Sequence, residues 1–132
     1  MTEEEKKQRA IAWAEIRHFS WEEFSSPDDA TSGLLMNLEF VRLLDKGRAA
    51  TGFPWHINSG YRTSAHNLKV GGKAPSEHLS GNGVDVAVGN GAERMAIVKW
   101  ALTAGIKRIG IAKGFVHLGM SFDLPQDVIW VY

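Results

Sequence analysis

The spacing of apolar residues predicts three main helices. The longest covers about residues 34–50, where apolar residues recur every three or four positions, and Gly52 and Pro54 follow it as residues that end helices. A second helix begins after Thr2, since a threonine with glutamate three positions later is typical of a capping box. A third covers about residues 92–104.

Alternating and β-branched runs predict five short strands, most of them late in the chain. The predicted strands are residues 56–59, 84–88, 107–111, 115–118 and 128–132. Because helices come first and strands cluster late at hairpin-like spacing, the pattern favours an α+β domain with a small, mostly antiparallel sheet flanked by helices.

Composition narrows the class of protein. With 132 residues, 44% of them hydrophobic, the chain is long enough for one domain with a buried core. Fifteen basic and fifteen acidic residues give a net charge of zero, so we expect no nucleic-acid partner. No apolar run approaches the roughly 20 residues of a membrane helix, so we expect no membrane insertion. The absence of cysteine excludes a thiol nucleophile and cysteine-ligated zinc.

The N-terminal segment differs from the remainder in charge. Residues 1–30 hold four basic and eight acidic side chains, whereas the chemically interesting residues lie in the basic remainder. An acidic start without an apolar stretch does not fit a signal peptide. We therefore expect synthesis in the cytoplasm.

Two histidines and one aspartate form the sharpest chemical feature. His78 lies in a glycine-rich loop, Asp85 on the strand that follows, and His117 on a late strand. Catalytic zinc typically takes three protein ligands and leaves one position open, which suits this set. The spacing alone is weak, because a hydrogen-bonded histidine beside a strand aspartate would look the same.

Several short motifs, taken in order, resemble a known family. They are Ser59–Thr63, His66-Asn67, Val70–Gly72, Ser76–Asp85 and Phe115–His117, with flanking segments at residues 19–24, 109–111 and 125–132. This order resembles the zinc D-Ala-D-Ala carboxypeptidases, in particular the small branch of phage endolysins and bacterial cell-wall peptidases. The resemblance covers roughly residues 19–132, which we take as a zinc peptidase-like domain after an N-terminal helix over residues 1–18.

The resemblance implies the hedgehog/DD-peptidase fold and a role for each matching residue. The implied zinc ligands are His78, Asp85 and His117. Arg62 would hold the substrate's carbonyl or carboxylate, and Ser76 would bind substrate or orient the site. Cleft-lining roles are open for His66, which could equally cap a loop, and for the aromatic side chains Trp55, Tyr61 and Trp130, each of which could instead belong to the core.

The chain departs from the family pattern at three glycines. Gly114 stands where many relatives carry the catalytic carboxylate, Gly119 where an aspartate is common, and Gly83 where alanine is common. The general base is therefore not identified by the resemblance. Asp123 is our candidate, with Asp127 as the alternative, and we expect Glu77 to be exposed to solvent.

The leading hypothesis is a monomeric zinc metallopeptidase that cuts peptide bonds in peptidoglycan stem or cross-link peptides, with release to the cell wall through a phage holin. The missing carboxylates leave a second hypothesis open, a zinc-binding domain of the same fold without peptidase activity. A third is a phage structural or interaction module.

Overall fold

The computed structural model of the chain describes residues 1–73 and 75–132. Within these residues the helices are α1 (Glu3–Ala12), α2 (Leu38–Thr51), α3 (Ser64–Lys69) and α4 (Gly91–Thr103). The strands are β1 (Ile57–Ser59), β2 (Gly83–Ala87), β3 (Arg108–Ile111), β4 (Phe115–Gly119) and β5 (Val128–Val131). Short 3₁₀ helices cover Trp13–Glu15, Trp21–Phe24, Ser32–Leu35 and Glu77–Ser80. The predicted α+β class is confirmed, and no helix among the described residues is long and apolar enough to cross a bilayer.

The five strands form one mixed sheet in the order β1-β2-β4-β3-β5. Three of the four neighbouring pairs are antiparallel, and β3 pairs with β5 in parallel. The register sets Asp85 of β2 directly opposite His117 of β4, which in turn lies opposite Gly110 of β3. Because side chains alternate between the faces of a strand, this cross-strand row points to one side of the sheet.

The other side of the sheet carries the core. Val84, Val86, Val116, Leu118 and Ile109 are buried there with apolar residues of α2 and α4. Since strands with one buried face alternate apolar and polar residues, a one-residue slip in register would bring the polar row into the core. Burial of the valines and leucine therefore also fixes where the polar row lies.

Helix α2 begins later than its apolar spacing predicts. Its N-cap is Asn37, whose side chain accepts the Glu39 N–H at 3.1 Å and donates to the Asn82 side chain at 2.8 Å. Leu34 is still buried, but it belongs to the separate 3₁₀ turn before the helix. Tertiary contacts therefore bury Leu34 as its spacing predicts, although its backbone is not part of the helix.

Helix α3 was not predicted from the sequence. It has only six residues, too few for an apolar period to show. Thr63 caps it by accepting the His66 N–H at 3.1 Å. Its one buried residue is Asn67, a polar side chain that apolar spacing would not mark.

The N-terminal segment has two parts that differ in packing. Helix α1 contains no buried residue, and Thr2 caps it by accepting the Glu5 N–H, as predicted. Trp13 and Ile16, which follow it, belong to the main core, and the Trp13 ring lies 5.5 Å from the ring of Phe24. Trp13 and Ile16 therefore anchor residues 13–18 to the core, whereas α1 lies on its surface.

This difference predicts the effect of two changes on stability. Deletion of residues 2–12 should lower the free energy of unfolding only slightly, because it removes no buried side chain and costs only the partly buried Ala10 and the Arg9–Leu34 hydrogen bond. Trp13→Ala should cost about 3–5 kcal/mol, as expected for a large aromatic residue removed from a core. Urea unfolding of both variants beside the wild type measures this. Equal losses in the two variants would mean that α1 contributes to the core.

Candidate metal centre

Three buried side chains meet on the open face of the sheet. Asp85 and His117 come from the paired strands β2 and β4, and His78 comes from the 3₁₀ turn before β2. One ligand atom from each of the three lies within 4.8 Å of the others. The Nδ1 atom of His117 is 2.8 Å from Asp85 Oδ1, and the Nε2 atom of His78 is 3.5 Å from the same oxygen. The structure thus brings the three predicted ligands together.

Each histidine has its second ring nitrogen held by another group. His78 Nδ1 lies 2.7 Å from the Gly60 carbonyl oxygen, and His117 Nε2 lies 2.6 Å from Glu77 Oε2. The nitrogens turned toward Asp85 are therefore His78 Nε2 and His117 Nδ1. Metal-binding histidines usually donate the other N–H to a carbonyl or a carboxylate, which fixes their tautomer.

The donor set fits a zinc ion. Two imidazole nitrogens and one carboxylate oxygen are ligands that zinc accepts, and three protein ligands leave one position open in a tetrahedral site. All three side chains are buried, so a cation would neutralise a carboxylate that is otherwise shielded from water.

Hydrogen bonds and charge set the protonation of the site without metal. Burial would raise the pKa of Asp85, but its hydrogen bonds with His117 and His78 hold that pKa far below the usual range. Burial would likewise raise the pKa of Glu77, yet contacts with His117 and Arg108 lower it. Burial would lower the pKa of His117, but its hydrogen bonds to Asp85 and Glu77 outweigh this and raise it. The metal-free site therefore favours a protonated His117 between two carboxylates.

Arg62 lies at the edge of this centre. Its Nη2 atom is 3.6 Å from Asp85 Oδ2, its Nε donates to Ser59 Oγ at 3.0 Å, and its Nη1 donates to Asn67 Oδ1 at 3.3 Å. The ion pair with Asp85 is the contact that Arg62 would make if its role were only structural. The three contacts together also hold the guanidinium beside the three ligands, where a planar anion could meet it.

A cleft of about 690 Å³ opens over the centre. Its wall includes Arg62, Ser76 and the three candidate ligands, with Trp130 and Tyr132 on the side of β5. The Ser76 hydroxyl accepts the His78 N–H at 3.3 Å, so this serine caps the turn that carries His78. A role for Ser76 in binding substrate or in orienting the site stays a prediction.

The expectation that Glu77 is exposed is wrong. Its side chain is buried, and its carboxylate accepts hydrogen bonds from Arg108 Nε at 3.0 Å and from the Ser121 N–H at 3.3 Å, besides the contact with His117. The two adjacent side chains do diverge: Glu77 turns toward His117 and Arg108, whereas His78 turns toward Asp85. Sequence reasoning also missed Arg108 and Asn67, which hold Glu77 and Arg62 in place.

Other predicted site residues lie away from the centre. His66 lines a separate depression with Pro27, Asp28, Ala65 and Lys69. Trp55 is fully buried in the core, with its Nε1 donating to Thr51 Oγ1 at 2.9 Å, so it is a core residue and not a cleft wall. Tyr61 is half-buried and packs against the core. Cleft roles for His66 and Tyr61 stay predictions.

The carboxylates proposed as a general base lie at the surface. Asp123 is exposed, and among the described residues it does not line the cleft. Asp127 is exposed and 4.0 Å from Lys107 Nζ. A catalytic role for Asp123 stays a prediction. Gly114 does not have a positive φ, and a Cβ there would meet open space, so the backbone itself would accept a side chain at this position.

Three protein ligands with a fourth position open to a cleft are the arrangement of catalytic zinc sites. The family model described as Peptidase M15 matches residues 17–119. The chain therefore belongs to the peptidase M15 family, the zinc D-Ala-D-Ala carboxypeptidases, and its mixed sheet with flanking helices is consistent with their hedgehog/DD-peptidase fold. A search of curated proteins gave no significant match.

The protonation of the centre predicts how the stability of the metal-free protein depends on pH. Because the pKa of His117 is raised in the fold, its contribution is complete below the ordinary value of 6.5 and is lost as pH rises through the folded pKa. Because those of Asp85 and Glu77 are lowered from 3.8 and 4.5, their contributions are lost as pH falls below these values. Stability should therefore be greatest between about pH 4.5 and 6.5.

Urea unfolding in the presence of a chelator, from pH 4 to pH 9, measures this profile. His117→Gln should flatten the alkaline side of the profile, whereas the exposed His56→Gln should keep it. A profile that stays level above pH 6.5 in the wild type would contradict the assignment of the raised pKa to His117.

Proposed function

We propose that this protein is a zinc metallopeptidase that hydrolyses peptide bonds in the stem or cross-link peptides of peptidoglycan. The observation that carries the proposal is the convergence of His78, Asp85 and His117 beneath a cleft that also holds Arg62. Membership of the M15 family supports peptidase chemistry on substrates of this class.

The residues of the cleft have different roles in binding and orienting the substrate. Bound zinc supplies a Lewis acid that polarises a carbonyl group and acidifies water. Arg62 provides a rigid fork of donors for a carboxylate or a developing oxyanion, and Ser59 and Asn67 hold that fork in place. The Trp130 ring and the Tyr132 phenol also line the cleft, and burial raises the pKa of Tyr132 above its ordinary value.

One observation favours a second candidate function. Among the described residues, the carboxylates on the cleft wall are Asp85, a candidate ligand, and Glu77, which His117 and Arg108 already engage. A general base normally lies within hydrogen-bond reach of the water it deprotonates. A zinc-binding domain of the same fold without peptidase activity is therefore the alternative, and activity measurements separate the two.

Digestion of purified peptidoglycan, with mass spectrometry of the products, tests the proposal. The zinc-loaded wild type should release peptide fragments, and a chelator or His78→Ala should abolish their release, because one of three ligands is lost. The fragments also identify the bond that is cut. Asp123→Asn in the same assay should lower the rate if Asp123 acts as the base.

Two results would contradict the proposal in different ways. Equal zinc content in the wild type and in His78→Ala would place the metal elsewhere. Stoichiometric zinc in the wild type without any released fragment, at any pH between 5 and 9, would favour the non-catalytic alternative.

Substitution of Arg62 tests whether its geometry or only its charge matters. Arg62→Ala should lower kcat/KM by about 2–4 kcal/mol in transition-state free energy if the guanidinium meets the developing oxyanion. Arg62→Lys should not restore it, because lysine offers a point charge without the bidentate fork. Steady-state kinetics on a defined muropeptide give both values, with the exposed Arg17→Lys as control. Near wild-type turnover in Arg62→Lys would show that Arg62 is a counter-charge for Asp85.

A further inference from the structure

We infer that Glu77 is a positioning residue for the metal centre. It accepts a hydrogen bond from the Nε2–H of His117 and so holds His117 Nδ1 toward the metal. Gly83 and Gly119 leave the space that the Glu77 side chain occupies. The inference rests on the zinc binding proposed above and adds a residue to that site.

The geometry of the His117 ring carries the first step. Its Nδ1 lies 2.8 Å from Asp85 Oδ1, on the side where the candidate ligands converge, and its Nε2 lies 2.6 Å from Glu77 Oε2, on the opposite side of the ring. Glu77 does not belong to the group of side chains that could hold one ion. Its carboxylate therefore acts on the metal centre through the histidine, in the manner of a carboxylate–histidine–metal triad.

The carboxylate of Glu77 is itself held firmly. Arg108 Nε donates to both of its oxygens, at 3.0 and 3.2 Å, and the Ser121 N–H donates to Oε1 at 3.3 Å. Arg108 is held in turn by the Pro125 carbonyl oxygen at 2.6 Å and by the Trp130 ring, which lies 5.1 Å from its guanidinium carbon. Because the acceptor is fixed on several sides, it can fix the orientation of the ring that donates to it.

Two glycines on neighbouring strands provide the space. Gly83 of β2 and Gly119 of β4 lie opposite each other in the register. A Cβ atom on Gly119 would lie 2.1–2.2 Å from the carboxylate atoms of Glu77, and one on Gly83 would lie 2.7 Å from Glu77 Cγ. Neither glycine has a positive φ, so backbone conformation does not require glycine at these positions. The Glu77 side chain does require it.

The same contacts imply that a carboxylate could be supplied from the sheet. A side chain on residue 119 would begin inside the volume that the Glu77 carboxylate occupies. Aspartate at this position, with Glu77 shortened to alanine, should therefore place a carboxylate near His117 Nε2 from the other direction.

Zinc affinity of the full chain, measured by competition with a chromophoric chelator, tests the inference. Glu77→Ala should weaken zinc binding about 10- to 100-fold, the usual cost of losing such a carboxylate. Glu77→Ala/Gly119→Asp should recover most of that loss, whereas the matched variant Glu77→Ala/Gly119→Ala should not. The exposed Glu22→Gln should bind zinc as the wild type does. Glu77→Gln keeps the volume of the side chain and should lose affinity to a smaller extent, so it serves if the alanine variant does not fold.

Nitrogen-15 NMR of the histidine rings reports on the same interaction without any activity measurement. In the zinc-loaded wild type, His117 should carry its proton on Nε2, and Glu77→Ala should change the chemical shift of that nitrogen. A wild type with the proton on Nδ1 would overturn the inference. So would wild-type zinc affinity in folded Glu77→Ala or Glu77→Gln, or a Gly119→Asp rescue no better than Gly119→Ala. A wild type that takes up no zinc would overturn the proposed function first, and this inference with it.

Discussion

The candidate site depends on one cross-strand register, the pairing of Asp85 on β2 with His117 on β4. That pairing has two consequences, because alternate residues of a strand face opposite sides of the sheet. It buries the neighbouring residues of the two strands, Val84, Val86, Val116 and Leu118, in the core. It also leaves the carboxylate of Asp85 and the imidazole of His117 side by side on the other face. The hydrophobic core therefore sets the position of the polar centre, since a slip of one residue would exchange the two faces.

The burial of that centre explains the polar network around it. A carboxylate and two imidazoles shielded from water are stable only if each polar atom has a partner. Gly60 and Arg62 supply partners from the segment after β1, and Glu77 supplies one from the turn that carries His78. Arg108 and Ser121 extend the network to the late part of the chain. Among the described residues, no buried side-chain nitrogen or oxygen is left without a hydrogen bond. These hydrogen bonds, as well as apolar packing, therefore hold the turns that carry these groups against the sheet.

The sequence predicted the parts of this structure that follow from local pattern. The strands and α4 lie within a residue or two of their expected bounds, because alternation, capping and glycine signals are local. The ligands were assigned by resemblance, and the structure then brought them together. Glu77 was misjudged because burial of a charged side chain depends on Arg108, which lies 31 positions later in the chain. Leu34 kept its core position outside the helix that its spacing predicted, since tertiary contacts override a local period.

The structure gives a reason for glycine at positions 83 and 119 that the sequence alone does not show. Read along the chain, the two glycines are separate departures from a family pattern, and the second suggests the loss of a functional carboxylate. In space both lie against the same side chain, that of Glu77, whose carboxylate reaches the space beside position 119 from a different element. The same consideration does not extend to Gly114, whose Cβ position faces open space with no described atom nearby. The two positions therefore differ in their surroundings: the space beside Gly119 is filled by a carboxylate from the turn before β2, whereas the space beside Gly114 is open.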